Sequence, residues 1–188
     1  KKSLDVIEKN KSNGIKFTTG VSINNLSLNQ NDIGEFRTFL KLSSPLREEH
    51  DRISLIEGIK NDLIDVIVSD HVPEDEESKR LPFAQAASGS IGIETLLPLA
   101  LELYHNNSLP LDKIVKCLTI NPAKILKINK GTLKKGVDAD ICILDLEKPW
   151  IVKAADLKSK SKNTAIENRK LQGKVIMTFL NGELVYSN

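Results

Sequence analysis

The stretch "SDHVPEDEESKRLPF", Ser69–Phe83, carries the residues best suited to chemistry. Asp70 and His71 stand where the apolar run Ile64–Val68 ends. A carboxylate at the mouth of a strand can bind a metal, act as a general base, or do both in turn. It can equally do no more than cap the following loop. His71 can ligate a metal or support the loop from behind. Glu74–Glu77 form an acidic run that can attract a cation or stay solvated. His50, amid "REEHDR", reads as solvated. His105 ends an apolar helix, where an imidazole suits the negative end of the helix dipole. The sequence holds no His-x-His, phosphate loop, serine nucleophile elbow or zinc-finger spacing.

The elements that must position these residues follow from periodicity. Ser3–Gly14 reads as a short helix with Ser3 as its cap. Ile15–Ile23 and Phe39–Leu42 read as strands, the second stopped by Pro45. Glu48–Asn61 has Ile53, Ile56 and Ile59, then Leu63, at helical spacing. Ile64–Asp70 is apolar almost throughout, which suits a strand covered on both faces of a parallel sheet. Ile93–His105, Ser108–Leu118 and Pro122–Leu126 read as helices, Asn121 capping the last. After Gly131 the pattern turns to strands, and Asn181-Gly182 is a strong hairpin signal. The organisation is thus βαβα first and all-β after about residue 130. In a parallel α/β fold, strand C-terminal ends carry the active site, and Asp70 sits at one.

The chain has 188 residues, 40% hydrophobic and 28% charged, with a formal net charge of +2. That suits one ordinary domain, or one with a small second. The charge gives no general attraction to polyanions, and "KAADLKSKSKN" at Lys153–Asn163 reads as a solvated loop rather than a nucleic-acid patch. Cys117 and Cys142 lie in apolar contexts outside any C-x-x-C, so both read as buried free thiols of a reducing, cytoplasmic compartment. No apolar run approaches the roughly 20 residues of a membrane span. With Met177 the one methionine and Lys1 opening the chain, the expectation is a product that is processed, trimmed or part of something larger.

The segment Ser69–Leu101 resembles the last barrel strand and loop of the dihydroorotases, within the amidohydrolase superfamily. The resemblance rests on Asp70-His71-Val72-Pro73, Glu77 with Lys79, Pro82-Phe83, and Gly89, Gly92, Glu94 and Thr95 in matching order. Further pieces agree in order: "SSPLREEHDR" at Ser43–Arg52, "TINPAKIL" at Thr119–Leu126, "GTLKKGVDADICILD" at Gly131–Asp145 and "GKVIMTFLNGELVY" near the end. The Gly-x-Asp-Ala-Asp part is common to many amidohydrolases; the segment around Asp70 favours dihydroorotase over hydantoinase or allantoinase relatives.

The resemblance implies an α/β fold: a partial (β/α)8 TIM-type barrel, strands six to eight, over residues 1–130. Part of a C-terminal β-sandwich would follow over 131–188. It implies interconversion of N-carbamoyl-L-aspartate and dihydroorotate in pyrimidine synthesis, at one or two zinc ions. Asp70 would be the catalytic proton shuttle and a metal ligand, and Ala87, Ser88, Gly89 and Glu74 the substrate contacts. The chain departs from the pattern at Asn24-Asn25, where a metal-binding histidine is expected at position 25. Glu74 stands where relatives often have a second histidine, and "NTAI" at Asn163–Ile166 replaces Asn-Thr-Pro-Phe. The expected partners are a small-molecule substrate and another chain supplying strands one to five, or further copies of this one. A non-catalytic scaffold supporting aspartate transcarbamoylase is the alternative. Neither nucleic acid nor membrane is expected as a partner.

Overall fold

In the computed structural model, which describes residues 1–188, a short parallel pair frames the first part of the chain. Strand β1 (Gly20–Ser22) lies beside β2 (Val66–Val68), with Gly20 opposite Val66 and Ser22 opposite Val68. A parallel pair needs a long crossover. Here it runs through helix α2 (Ile23–Ser27), 3-10 turns at Gln30–Ile33 and Thr38–Leu40, and α3 (Glu49–Lys60). Because the strands run the same way, Asn24-Asn25 and Asp70 leave the sheet at the same end.

Helix α1 (Lys2–Ser12) packs on α3 through Leu4. After β2 come α4 (Glu76–Arg80), α5 (Leu96–His105), α6 (Leu111–Leu118) and α7 (Ile120–Leu126). The chain ends in an antiparallel sheet of β3 (Ile141–Ile151), β4 (Lys170–Leu180) and β5 (Glu183–Ser187), in that order. Asn181 and Gly182 turn between β4 and β5 with φ of 51° and 85°, the two positive values a type I′ hairpin requires. Helix α5 packs on β4. A single buried cluster reaches from Leu4, Ile23 and Ile59 through Leu99 and Ile114 to Val152, Ile166 and Leu171, so both parts share one core.

Several elements differ from the sequence expectation. The first strand is only three residues long, because the Ser22 hydroxyl accepts the Asn24 N–H and starts α2 there. Phe39–Leu42 is no strand. It begins as a 3-10 turn, and its Lys41 carbonyl faces the Gly89 amide instead of a ladder partner. β1 therefore meets β2 directly. Strand β2 is not covered on both faces: Ile67 is buried, but Val68 is 43% exposed. In α3, Ile56 and Ile59 face the core while Ile53 faces solvent. Ser3 lies inside α1, and Asn121 lies inside α7 rather than at its cap. The Asn121 amide instead donates to the Asp65 carbonyl at 2.8 Å, fastening α7 to the foot of β2. Cys117 is buried, and burial pushes its thiol pKa up; Cys142 is exposed, contrary to expectation. Lys153–Asn163 is not simply solvated, since Leu157 and Asn163 are buried within it.

Candidate active site

Asp70 emerges two residues beyond the end of β2 in left-handed backbone, with φ 48°. Aspartate visits that region more readily than most residues. The side chain is partly buried.

The turn is held by what crosses behind it. His71 forms a parallel bridge with Ser90, and the Val72 N–H donates to the Ser90 carbonyl at 2.9 Å. His71 Nδ1 accepts the N–H groups of Gly92 at 3.1 Å and Ile93 at 3.4 Å. With Nδ1 an acceptor, the neutral ring carries its proton on Nε2. Gly92 is required by space: a Cβ there would lie 2.4 Å from the Ser69 carbonyl oxygen, on the peptide that leads into Asp70. Gly89 has φ 153°, and a Cβ on it would lie 2.6 Å from Val72 Cγ1. Both close approaches are open only to glycine.

Two buried side chains fasten this rim. Asn163, 3% exposed, donates from Nδ2 to the carbonyls of Val72 at 3.1 Å and Gly89 at 3.2 Å. Its Oδ1 accepts the Glu74 N–H at 3.3 Å. One amide from the C-terminal part thus holds the loop after Asp70 and the loop at Gly89 together. Lys79, 1% exposed, donates to the carbonyls of Thr38, Lys41 and Ala87. Burial pushes its ammonium below the ordinary lysine range.

The residues expected to contact substrate divide unequally. The Ala87 N–H donates to Ser78 and its carbonyl accepts from Lys79. The Gly89 N–H donates to Lys41 and its carbonyl accepts from Asn163. Between them Ser88, partly buried, keeps its N–H and hydroxyl out of these bonds. Glu74 is partly buried, and its charge favours the ammonium of Lys79. Asn25 directs its amide to the carbonyls of Ser44 at 3.4 Å and Pro45 at 3.3 Å. Neighbouring Asn24 is 3% exposed, and its amide nitrogen has no partner. Glu94 and Thr95 are scaffold: Glu94 accepts the N–H groups of Lys158 and Ser159, and Thr95 donates to the Gly92 carbonyl.

The zinc implied by the resemblance needs imidazole and carboxylate donors. No three histidine, cysteine, aspartate or glutamate side chains of the chain converge into such a set. At the strand ends stand Asp70 and two asparagine amides, whose oxygen is a weak zinc donor. The residues present do not by themselves fit the metal. A cleft of about 710 Å³ lies elsewhere, between the start of α5 and β3–β4, lined by Ile93, Trp150 and Lys174 among others; Asp70 and Ser88 are not part of it.

Lys79 and Asn163 lie within quoted motifs, yet their burial could not be read from spacing. Lysine is almost never fully buried, so the default reading of Lys79 is a solvated helix face.

The model of the amidohydrolase family matches residues 4–185. The chain belongs to the amidohydrolase family. This amidohydrolase chain is 44% identical over 184 residues to the dihydroorotase of Ehrlichia chaffeensis, a match covering 98% of the chain and 41% of that protein. It is 40% identical to the dihydroorotase of Aquifex aeolicus, covering 100% of the chain and 44% of the relative. Among solved structures it superposes on the L-hydantoinase (dihydropyrimidinase) of Arthrobacter aurescens with a TM-score of 0.92 at 29% identity, over 98% of this chain and 42% of that one. A D-hydantoinase gives 0.90 at 21% identity, which bears on the fold alone. The chain therefore spans about two fifths of the length of the relatives it matches.

Proposed function

We propose that this chain supplies the acid–base rim and the substrate loop of a dihydroorotase-type cyclic amidohydrolase, interconverting N-carbamoyl-L-aspartate and dihydroorotate in pyrimidine biosynthesis. The observation that carries the reading is Asp70, held in left-handed backbone at the C-terminal tip of a parallel strand, with the Ala87–Gly89 loop fastened to the same turn.

In this reading residues 1–130 are the C-terminal part of the barrel, with β1 and β2 among its strands six to eight. Residues 131–188 are part of a composite sandwich. The remaining strands, and the histidines of a zinc set, come from polypeptide outside these 188 residues. Hydrolysis adds water's oxygen to the ring amide carbon, breaks the carbon–nitrogen bond and leaves a proton on the nitrogen. The Asp70 carboxylate holds that proton between the two events, as a general base and then a general acid. Ring closure is the same transfer reversed. Ser88, with its N–H and hydroxyl free, is the donor pair of the loop.

A second reading has specific support. Asn24-Asn25 stand where imidazole is expected, and Glu74 places a negative charge where the substrate carboxylate would lie. Both suit a non-catalytic dihydroorotase-like scaffold for aspartate transcarbamoylase.

Co-expression tests the choice. The chain is produced with the part of the Ehrlichia chaffeensis dihydroorotase that it does not match, as wild type and as Asn25→His. Zinc-dependent turnover of dihydroorotate by either assembly, well above turnover of hydantoin or allantoin, supports the enzyme. Assembly without turnover in both supports the scaffold. Faster turnover of hydantoin would move the substrate to the hydantoinase class.

A further inference from the structure

We propose that Lys79 is a positioning residue, whose buried ammonium ties the Ala87–Gly89 loop to the Thr38–Lys41 turn and so fixes Ser88. What Ser88 touches rests on the dihydroorotase-type reading; the tie itself rests on the geometry alone.

Lys79 is among the largest fully buried side chains of the molecule. Helix α4, which carries it, has only five residues, and its Glu76, Glu77 and Arg80 are all exposed. A lysine taken fully out of water normally finds a carboxylate. This one finds three backbone carbonyls instead: Thr38 at 2.9 Å, Ala87 at 2.9 Å and Lys41 at 3.4 Å. Three ammonium hydrogens meet three acceptors. The Lys41 carbonyl also accepts the Gly89 N–H at 2.9 Å. Lys79 therefore grips the peptide before Ser88 directly and shares an acceptor with the residue after it. The Thr38 hydroxyl closes the knot by donating to the Lys79 carbonyl.

An arrangement that orders both flanks of one residue while leaving that residue's donors free is what preorganised binding needs. Holding the loop before a ligand arrives removes an ordering cost from the binding step. The tie also depends on protonation. A neutral amine has two hydrogens for three carbonyls, so deprotonation loosens the knot. Burial lowers the Lys79 pKa most; of the charged groups acting on it, Glu74 works against that shift by favouring the ammonium, and Lys41 adds to it.

Nuclear magnetic resonance on the isotope-labelled 188-residue chain tests this. In Lys79→Met the Gly89 amide should exchange with solvent about 10- to 100-fold faster, the factor for losing one charge-assisted hydrogen bond. The β4–β5 amides should keep their wild-type protection. A folded Lys79→Met with unchanged Gly89 exchange overturns the proposal. Should that variant fail to fold, the wild-type chain decides. Its Gly89 and Ala87 amide shifts should follow a single alkaline titration with the Lys79 ammonium while β4–β5 stays still. Shifts that ignore that titration overturn the proposal equally. Added dihydroorotate reports on the other reading. If it moves neither Ser88 nor its neighbours in the wild-type chain combined with its complementing polypeptide, the substrate assignment fails while the tie at Lys79 is judged by Gly89 alone.

Discussion

At the scale of single residues, the candidate catalytic group is lightly held and its surroundings are heavily held. Asp70 projects from a strand tip, whereas Gly92, Gly89, Asn163 and Lys79 are fixed by space or by buried hydrogen bonds. Substitution should register on those neighbours as stability and on Asp70 as chemistry. Gly92→Ala drives a methyl into the Ser69 carbonyl, and urea denaturation should read a loss of about 1–3 kcal/mol, the usual cost of overpacking. Asn163→Ala leaves the Val72 and Gly89 carbonyls and the Glu74 N–H without their partner. Val72 and Glu74 are only partly buried and can turn to water, so the buried Gly89 carbonyl dominates, and the loss should be about 1–3 kcal/mol in the same measurement. Little or no change in Asn163→Ala would mean that these loops hold together without it. The place of Asp70 just past a strand end was legible from the sequence, because the apolar run Ile64–Val68 stops shortly before it. Asn163 and Lys79 were not. Their partners lie at positions 72, 74 and 89, or 38, 41 and 87, and only the folded chain brings these together.

At the scale of elements, legibility followed the strength of local signals. Helices α3 and α5 and the Asn181-Gly182 hairpin appear close to where periodicity and turn chemistry place them. Phe39–Leu42 misled because its apolar residues suit a strand, while the carbonyls of Thr38 and Lys41 are taken by Lys79. A strand reading assumes a ladder for the backbone; a buried ammonium from a distant helix removes that assumption. Helix α3 carries a prediction of its own. Arg52 binds the Glu49 carboxylate and also donates to the Leu26 carbonyl, while the Asn29 amide binds Glu49 from the preceding turn. The Arg52 and Asn29 hydrogen bonds bring the Glu49 pKa down from 4.5 to about 2. A carboxyl lowered on folding contributes stability that is fully present above its unfolded pKa and lost as pH falls through its folded one. The urea midpoint should therefore decline between pH 4.5 and about 2, and Arg52→Met should flatten that decline. An identical acid limb in both proteins would remove Arg52 from the account.

At the scale of the whole molecule, the parallel sheet consists of β1 and β2 alone, so each strand keeps one unpaired edge. Val68 is exposed on β2, and Ile143, Leu184 and Val185 are exposed on the C-terminal sheet. Unpaired edges beside exposed apolar side chains invite another polypeptide. Sedimentation velocity should show the chain alone associating as concentration rises, and forming a defined assembly with the complementing part of a relative. A monodisperse monomer at all concentrations that takes up no such partner would contradict the composite reading. The most direct measurement is the rate of dihydroorotate hydrolysis by that assembly with Asp70→Asn set against wild type, at matched zinc content. The account predicts an unchanged assembly whose rate falls by about 10²–10⁴-fold, the usual contribution of a positioned acid–base group. An Asp70→Asn assembly that keeps the wild-type rate would contradict it.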